Sequence, residues 1–174
     1  MCDGIALEGV RLVARSLQSA VEFARAQAEG TTDHLRARAD LLNASMMGAV
    51  AFQKGLGVNH SCAHALSTVC DTHHGLANAL MLETCMRFNI KAVPGRFDQL
   101  AAAAGLQAGA EFIPWLCDLR DAIGIPSGLA HLALSESQLA DLAKVAFNDV
   151  CHQNNPIAVT LNDFIALFKQ AATK

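Results

Sequence analysis

Gly55-Leu56-Gly57-Val58-Asn59-His60-Ser61-Cys62-Ala63-His64, followed by Asp71-Thr72-His73-His74-Gly75-Leu76-Ala77-Asn78-Ala79, is the stretch on which the reading of this chain turns. His60 and His64 are four residues apart, so on a helix they share a face, about one turn or 6 Å from each other. His74 comes ten residues later, just before a glycine at which the chain can turn back. With His73, four of the seven histidines fall within fifteen residues. Imidazole is the commonest metal ligand and a common proton shuttle. The chemistry of the chain is to be sought here.

Working outward, nearly every segment carries a helical period. From Ile5 to about Ala28 the apolar residues Leu7, Val10, Val13, Leu17 and Val21 form a stripe, which Gly30 breaks. Thr31 or Thr32 can cap the next run, with Asp33 near its positive end, and that run continues to about Gln53. His60 to about Cys70 reads as a third helix. Leu76 to Phe88 reads as a fourth, apolar nearly all round and therefore expected to be central.

Short helices follow over Phe97–Ala104 and Glu111–Ile123, with Pro114 tolerable in a first turn. Ser135 and Gln138 form a capping box for Leu139–Phe147, and Thr160 with Asp163 a looser one for Leu161–Ala172. Asn154-Asn155-Pro156 reads as a turn. No run alternates at period two, so the pattern predicts an all-α, multi-helix, bundle-like domain of seven to nine helices.

Composition narrows the class. The 174 residues fit one domain, 1–174, and 52% of them are apolar, which is high for a protein of this size. No apolar run approaches the ~18 residues a membrane span needs. A deep core, together with a surface meant to be covered by another domain or subunit or by self-association, accounts for the excess. Net charge −3 offers no basic footprint for nucleic acid. Six scattered cysteines without a CxxC pair, behind an N-terminus that lacks a signal-peptide pattern, point to the cytoplasm and to reduced thiols.

Several chemistries are excluded by the residues themselves. A zinc-protease HExxH needs Glu where Ser61 stands. GxGxxG fails because His60 occupies the third glycine position, and neither a P-loop nor a GxSxG elbow occurs. A closed structural zinc site needs four ligands, and on a helix Cys62 points roughly opposite His60 and His64. Two or three imidazoles make an open, incomplete site whose other ligands come from elsewhere. His34, His131 and His152 are read as merely structural.

Ala51-Phe52-Gln53-Lys54-Gly55-Leu56-Gly57, the two histidine segments, and Met86-Arg87-Phe88-Asn89 together resemble the signature of the iron-containing (group III) alcohol dehydrogenases. Asp3 with Ile5-Ala6-Leu7-Glu8, Ile123-Gly124-Ile125-Pro126 and Asn155-Pro156 extend the resemblance over essentially the whole chain. It implies the all-helical C-terminal domain of that dehydroquinate synthase-like fold. The N-terminal α/β domain that binds the nicotinamide cofactor would be a missing domain or a partner subunit. Ser67 and Glu83-Thr84 depart from the residues frequent in the family at those positions.

The resemblance implies roles as well. His60 and His74 correspond to metal-ligating histidines, with an Asp and a His from outside the matching region completing the shell. His64 corresponds to a histidine near nicotinamide and substrate that helps move the proton. Cys151 and Phe52 resemble positions near the substrate pocket, and a buried structural role is equally open for each. The implied activity is interconversion of a small alcohol and aldehyde by hydride transfer. It requires a divalent metal (Fe²⁺ first, Zn²⁺ or Ni²⁺ otherwise) and NAD(P) held by the missing domain. The alternative is a helical interaction or structural module derived from the same family that has lost catalysis.

Overall fold

The computed structural model describes residues 1–27 and 30–174, and among them there are eight α-helices and no strand. These are α1 (Cys2–Arg25), α2 (Thr32–Ala51), α3 (Val58–Cys70), α4 (His74–Asn89), α5 (Pro94–Ala103), α6 (Phe112–Ile123), α7 (Glu136–Asn148) and α8 (Leu161–Ala172). Ala28, the expected end of the first helix, lies outside the described residues. No described helix is long and apolar enough to cross a membrane. The helices gather into two compact units that interleave along the chain: Met1–Lys54 with Pro94–Ile123, and Gly55–Val93 with Gly124–Lys174.

In the first unit α1 and α2 form an antiparallel hairpin. Asp3 pairs with Lys54, Ser16 Oγ donates to Asp40 at 2.6 Å, and the Phe23 and His34 rings lie 6.0 Å apart. The helices approach closely because most of the residues they bury, Gly9, Ser16, Ala20, Ala37 and Ala44, are small, with Leu12 and His34 the two larger ones. Thr31 is the cap of α2, its hydroxyl accepting from the His34 amide. Arg25 donates to the carbonyls of Ala122 and Ile123 at 3.1 and 2.8 Å. Those carbonyls end α6, where no intrahelical donor remains for them. α5 starts at Pro94 rather than near Phe97, since a proline fits a first turn that apolar spacing does not mark.

The second unit holds α3, α4, α7 and α8 around a core of Val58, Cys62, Leu66, Leu80, Met81, Leu142, Phe164 and Phe168. Its central helix is α3 rather than α4. Val58, Ser61, Cys62, Ala63, Ala65 and Leu66 are all fully buried, whereas α4 keeps Arg87 at the surface. Small residues let α4 and α7 close in on α3, and a count of large apolar residues overlooks that. Both capping boxes form, Ser135 with Gln138 and Thr160 with Asp163.

Two sequence landmarks acquire a physical role in this unit. The Asn155 amide bonds the Asn89 side chain at both ends, 2.8 and 3.1 Å, and its oxygen also accepts from the Val58 amide that opens α3. One side chain thereby joins the end of α4 to the start of α3. Gly55, at φ +90°, lies so close to Asn154 that a Cβ would come within 2.5 Å of its Cγ. The two departures from the family pattern are accommodated as well. Ser67 Oγ donates to the Thr72 carbonyl at 2.9 Å, while Glu83 pairs with Arg87 and Lys174.

Candidate metal centre

α3 and α4 begin side by side, and their starts carry the histidines. His60 is in the first turn of α3, His64 one turn later, and His74 opens α4. Asn59 Nδ2 donates to Asn78 Oδ1 at 2.9 Å, and Asn78 Nδ2 lies 3.1 Å from both His74 Nε2 and the His74 carbonyl oxygen. This asparagine pair fixes the two helix starts together. The turn between them closes at Asp71, which takes the left-handed conformation (φ 52°) that aspartate tolerates better than most residues.

The three rings cluster. Their centroids are separated by 6.0 Å (His60–His64), 5.6 Å (His60–His74) and 5.3 Å (His64–His74), the last pair stacked. Two imidazoles sharing one ion at about 2.1 Å from each nitrogen have ring centres about 5 Å apart, a spacing that the His64–His74 and His60–His74 pairs both approach. Burial lowers the pKa of His60, and its His74 and His64 neighbours lower it further, against the pull of Asp149. Helix N-termini also disfavour a positive charge. A neutral imidazole is the form a metal requires. Imidazole nitrogens clustered in this way are donors of a kind that fits a divalent transition metal.

Behind His64 lies a network that no sequence motif announced. Asp149, just past the end of α7, accepts from His64 Nδ1 on one carboxylate oxygen at 2.8 Å. Its other oxygen accepts from Ser61 Oγ and from the Cys151 amide, both at 2.8 Å. Burial works to raise the Asp149 pKa, but the bonds from His64, Cys151 and Ser61 outweigh it and hold the carboxyl well below the ordinary range. Burial and the neighbouring carboxylate push the Cys151 thiol up to about 11.

His64, Asp149 and Cys151 also bring three ligand-type atoms within 4.8 Å of one another. Their lone pairs and protons are already committed to each other, and the thiol stays protonated, so the trio is a hydrogen-bonded cluster before it is a cation seat.

The structure brings together His60, His64 and His74, the residues singled out in the sequence, and sets Cys151 beside them, 3.9 Å from His64 Nδ1. Phe52 belongs to the first unit and is exposed. His34 is buried and accepts from the Gly30 amide, while His152 packs against Phe147 and Phe164. Asp149 and Ser61 were missed. Asp149 is 85 residues from the histidine it holds, and Ser61 drew notice only as the residue that spoils HExxH.

The fold and the cluster define an all-α domain whose polar site is built on paired helix starts. Residues 1–172 match the Fe-containing alcohol dehydrogenase family, C-terminal, and the chain belongs to that family. It is 32% identical over 178 residues to the 4-hydroxybutyrate dehydrogenase of Cupriavidus necator, covering 97% of this chain and 44% of that protein. The 1,3-propanediol dehydrogenase of Klebsiella pneumoniae matches at the same identity and the same coverage. A crystal structure of 1,3-propanediol oxidoreductase superposes with a TM-score of 0.87 at 32% identity, over 98% of this chain and 45% of that one. The chain spans less than half the length of the curated relatives it matches.

Proposed function

We propose that this chain is the metal-holding part of an NAD(P)-dependent alcohol dehydrogenase, acting on a small alcohol or aldehyde in the cytoplasm. The observation that carries the reading is the meeting of His60, His64 and His74 at two joined helix starts, with centroids 5.3 to 6.0 Å apart. His60 and His74 would hold the metal, Fe²⁺ first and Zn²⁺ or Ni²⁺ otherwise. When bound, such an ion supplies Lewis-acid polarisation of the alcohol oxygen, which lowers its pKa. His64 is then the group that takes and passes on the hydroxyl proton. NAD(P) binding falls to an α/β domain outside residues 1–174, in the same protein or a partner subunit, and the chain by itself is expected to oxidise no alcohol.

The names of the relatives support the substrate class, since they include dehydrogenases of 4-hydroxybutyrate, 1,3-propanediol and methanol. The test is metal titration of the chain by calorimetry with Ni²⁺, Zn²⁺ or anaerobic Fe²⁺. Weak binding is expected, with a loss of at least about tenfold for His60→Ala or His74→Ala, since one fewer protein ligand leaves water in its place. His64→Ala should weaken it less. Binding that survives loss of both His60 and His74 would overturn the ligand assignment. No binding at all would favour the helical interaction module.

A further inference from the structure

We propose that Asp149 is the positioning residue of this site, fixing His64 in the tautomer that carries its proton on Nδ1 and presents a bare lone pair on Nε2. The inference deepens the proposed proton-moving role of His64 and rests on that reading for its purpose, though not for its test.

Donors and acceptors decide the orientation of the ring. An ionised carboxylate only accepts, so the 2.8 Å contact from His64 Nδ1 must be an N–H donating to Asp149. A neutral ring has one proton, hence Nε2 has none. Asp149 cannot turn away to another partner. Its second oxygen is held by the Ser61 hydroxyl and the Cys151 amide, and Ser61 is itself fixed by accepting from the His152 amide at 3.0 Å. Ser61 is fully buried, so this anchor is not exchanged with water. Ionisation of Asp149 is favoured by the same three donors.

The consequence is functional. A ring free to choose its tautomer would spend part of its time with a proton on Nε2, where it cannot accept one. Held on Asp149, it always offers the lone pair. Once it has accepted a proton, the positive ring remains beside a negative carboxylate.

The same geometry supplies a sharp test in Asp149→Asn. The Cys151 backbone N–H can only donate, so the amide oxygen of the variant must stay on that side. Its NH₂ is then turned toward His64 Nδ1, which must accept instead, and the ring proton moves to Nε2. Long-range ¹H–¹⁵N correlation of the histidine rings in the ¹⁵N-labelled chain reads this directly, at a pH where the ring is neutral, with His64 assigned by its loss in His64→Gln. In the parent chain Nδ1 should show a protonated and Nε2 an unprotonated shift. In Asp149→Asn the two should exchange, and in Ser61→Ala they should not.

A parent ring protonated on Nε2, or one averaging between the two forms, overturns the proposal. So does an unchanged tautomer in a folded Asp149→Asn. Should that variant fail to fold by circular dichroism, the parent measurement decides alone. Because the readout needs neither metal nor activity, its failure is distinguishable from failure of the metal titration.

Discussion

The two units of this chain are built on opposite plans. The largest fully buried side chains among the described residues, from Phe164 and Phe168 to Leu66, Leu80 and Met81, all belong to the second unit. Of the large apolar residues left exposed, Met1 and, on or just after α2, Leu35, Leu42, Met46, Val50 and Phe52 belong to the first, against Phe147 and Val150 in the second. The first unit joins its hairpin through small residues and surface ion pairs. The second encloses a deep core and builds its polar network on it. A constellation of ring nitrogens must be held to a fraction of an ångström, and only densely packed elements do that. The site therefore stands where the core is deepest, with α3 serving both.

The contrast is most exposed to failure at Phe168. It is fully buried in α8, and Phe168→Ala should cost about 3–5 kcal/mol in urea unfolding. The loss combines the transfer of the ring with the cavity it leaves. Loss of the histidine ring signals in the same variant would tie the site to this core. A cost below about 1 kcal/mol would mean that the second unit collapses around the gap, and the claim of a stiff support would fail.

Acid provides a finer test, because each unit contains a carboxylate held below its ordinary pKa. Asp40 owes this to the Ser16 hydroxyl and then to Arg15, against burial. In Asp149 burial opposes the shift, and the three donors prevail. A carboxylate whose folded pKa is depressed contributes stability that is fully present above its unfolded value of about 4 and lost as pH falls toward the folded value. Asp149→Asn should therefore flatten the fall in the urea midpoint below about pH 4. Asp40→Asn should flatten it less, since its partner Arg15 is 54% exposed and screened by water. Equal effects would show that the two networks are worth the same.

The parts of this architecture that were legible in the sequence are those written in local chemistry. Ser135 with Gln138 and Thr160 with Asp163 announce helix starts because the reciprocal bonds span only three residues. His60 and His64 announce a shared face through a four-residue spacing, but the return to His74 is made by a left-handed Asp71 rather than at Gly75, which lies inside α4. What could not be read there depends on distant partners. Nothing near Asp149 indicates that its oxygens will face Ser61 and His64, and nothing near Ser16 points to Asp40. The central place of α3 was hidden for a related reason. Its Ser, Cys and Ala residues look unremarkable along the chain, yet they are the ones that let α4 and α7 close on it.

The smallest effect on stability is expected at α2. Leu35, Leu42, Met46 and Val50 fall on one face of that helix by their spacing, and Leu42 is 70% exposed. Leu42 contributes little to the fold, so Leu42→Glu should shift unfolding by less than about 0.5 kcal/mol. The same change should act strongly on association. A net charge of only −3 gives little repulsion to oppose contact between apolar stripes. In sedimentation at micromolar concentration the parent chain should run as a dimer or larger species, and Leu42→Glu should run smaller. A parent chain that stays monomeric at every concentration would remove self-association from the account of this face. A variant that loses several kcal/mol would mean that Leu42 is part of a core, and the contrast between the two units would have to be withdrawn.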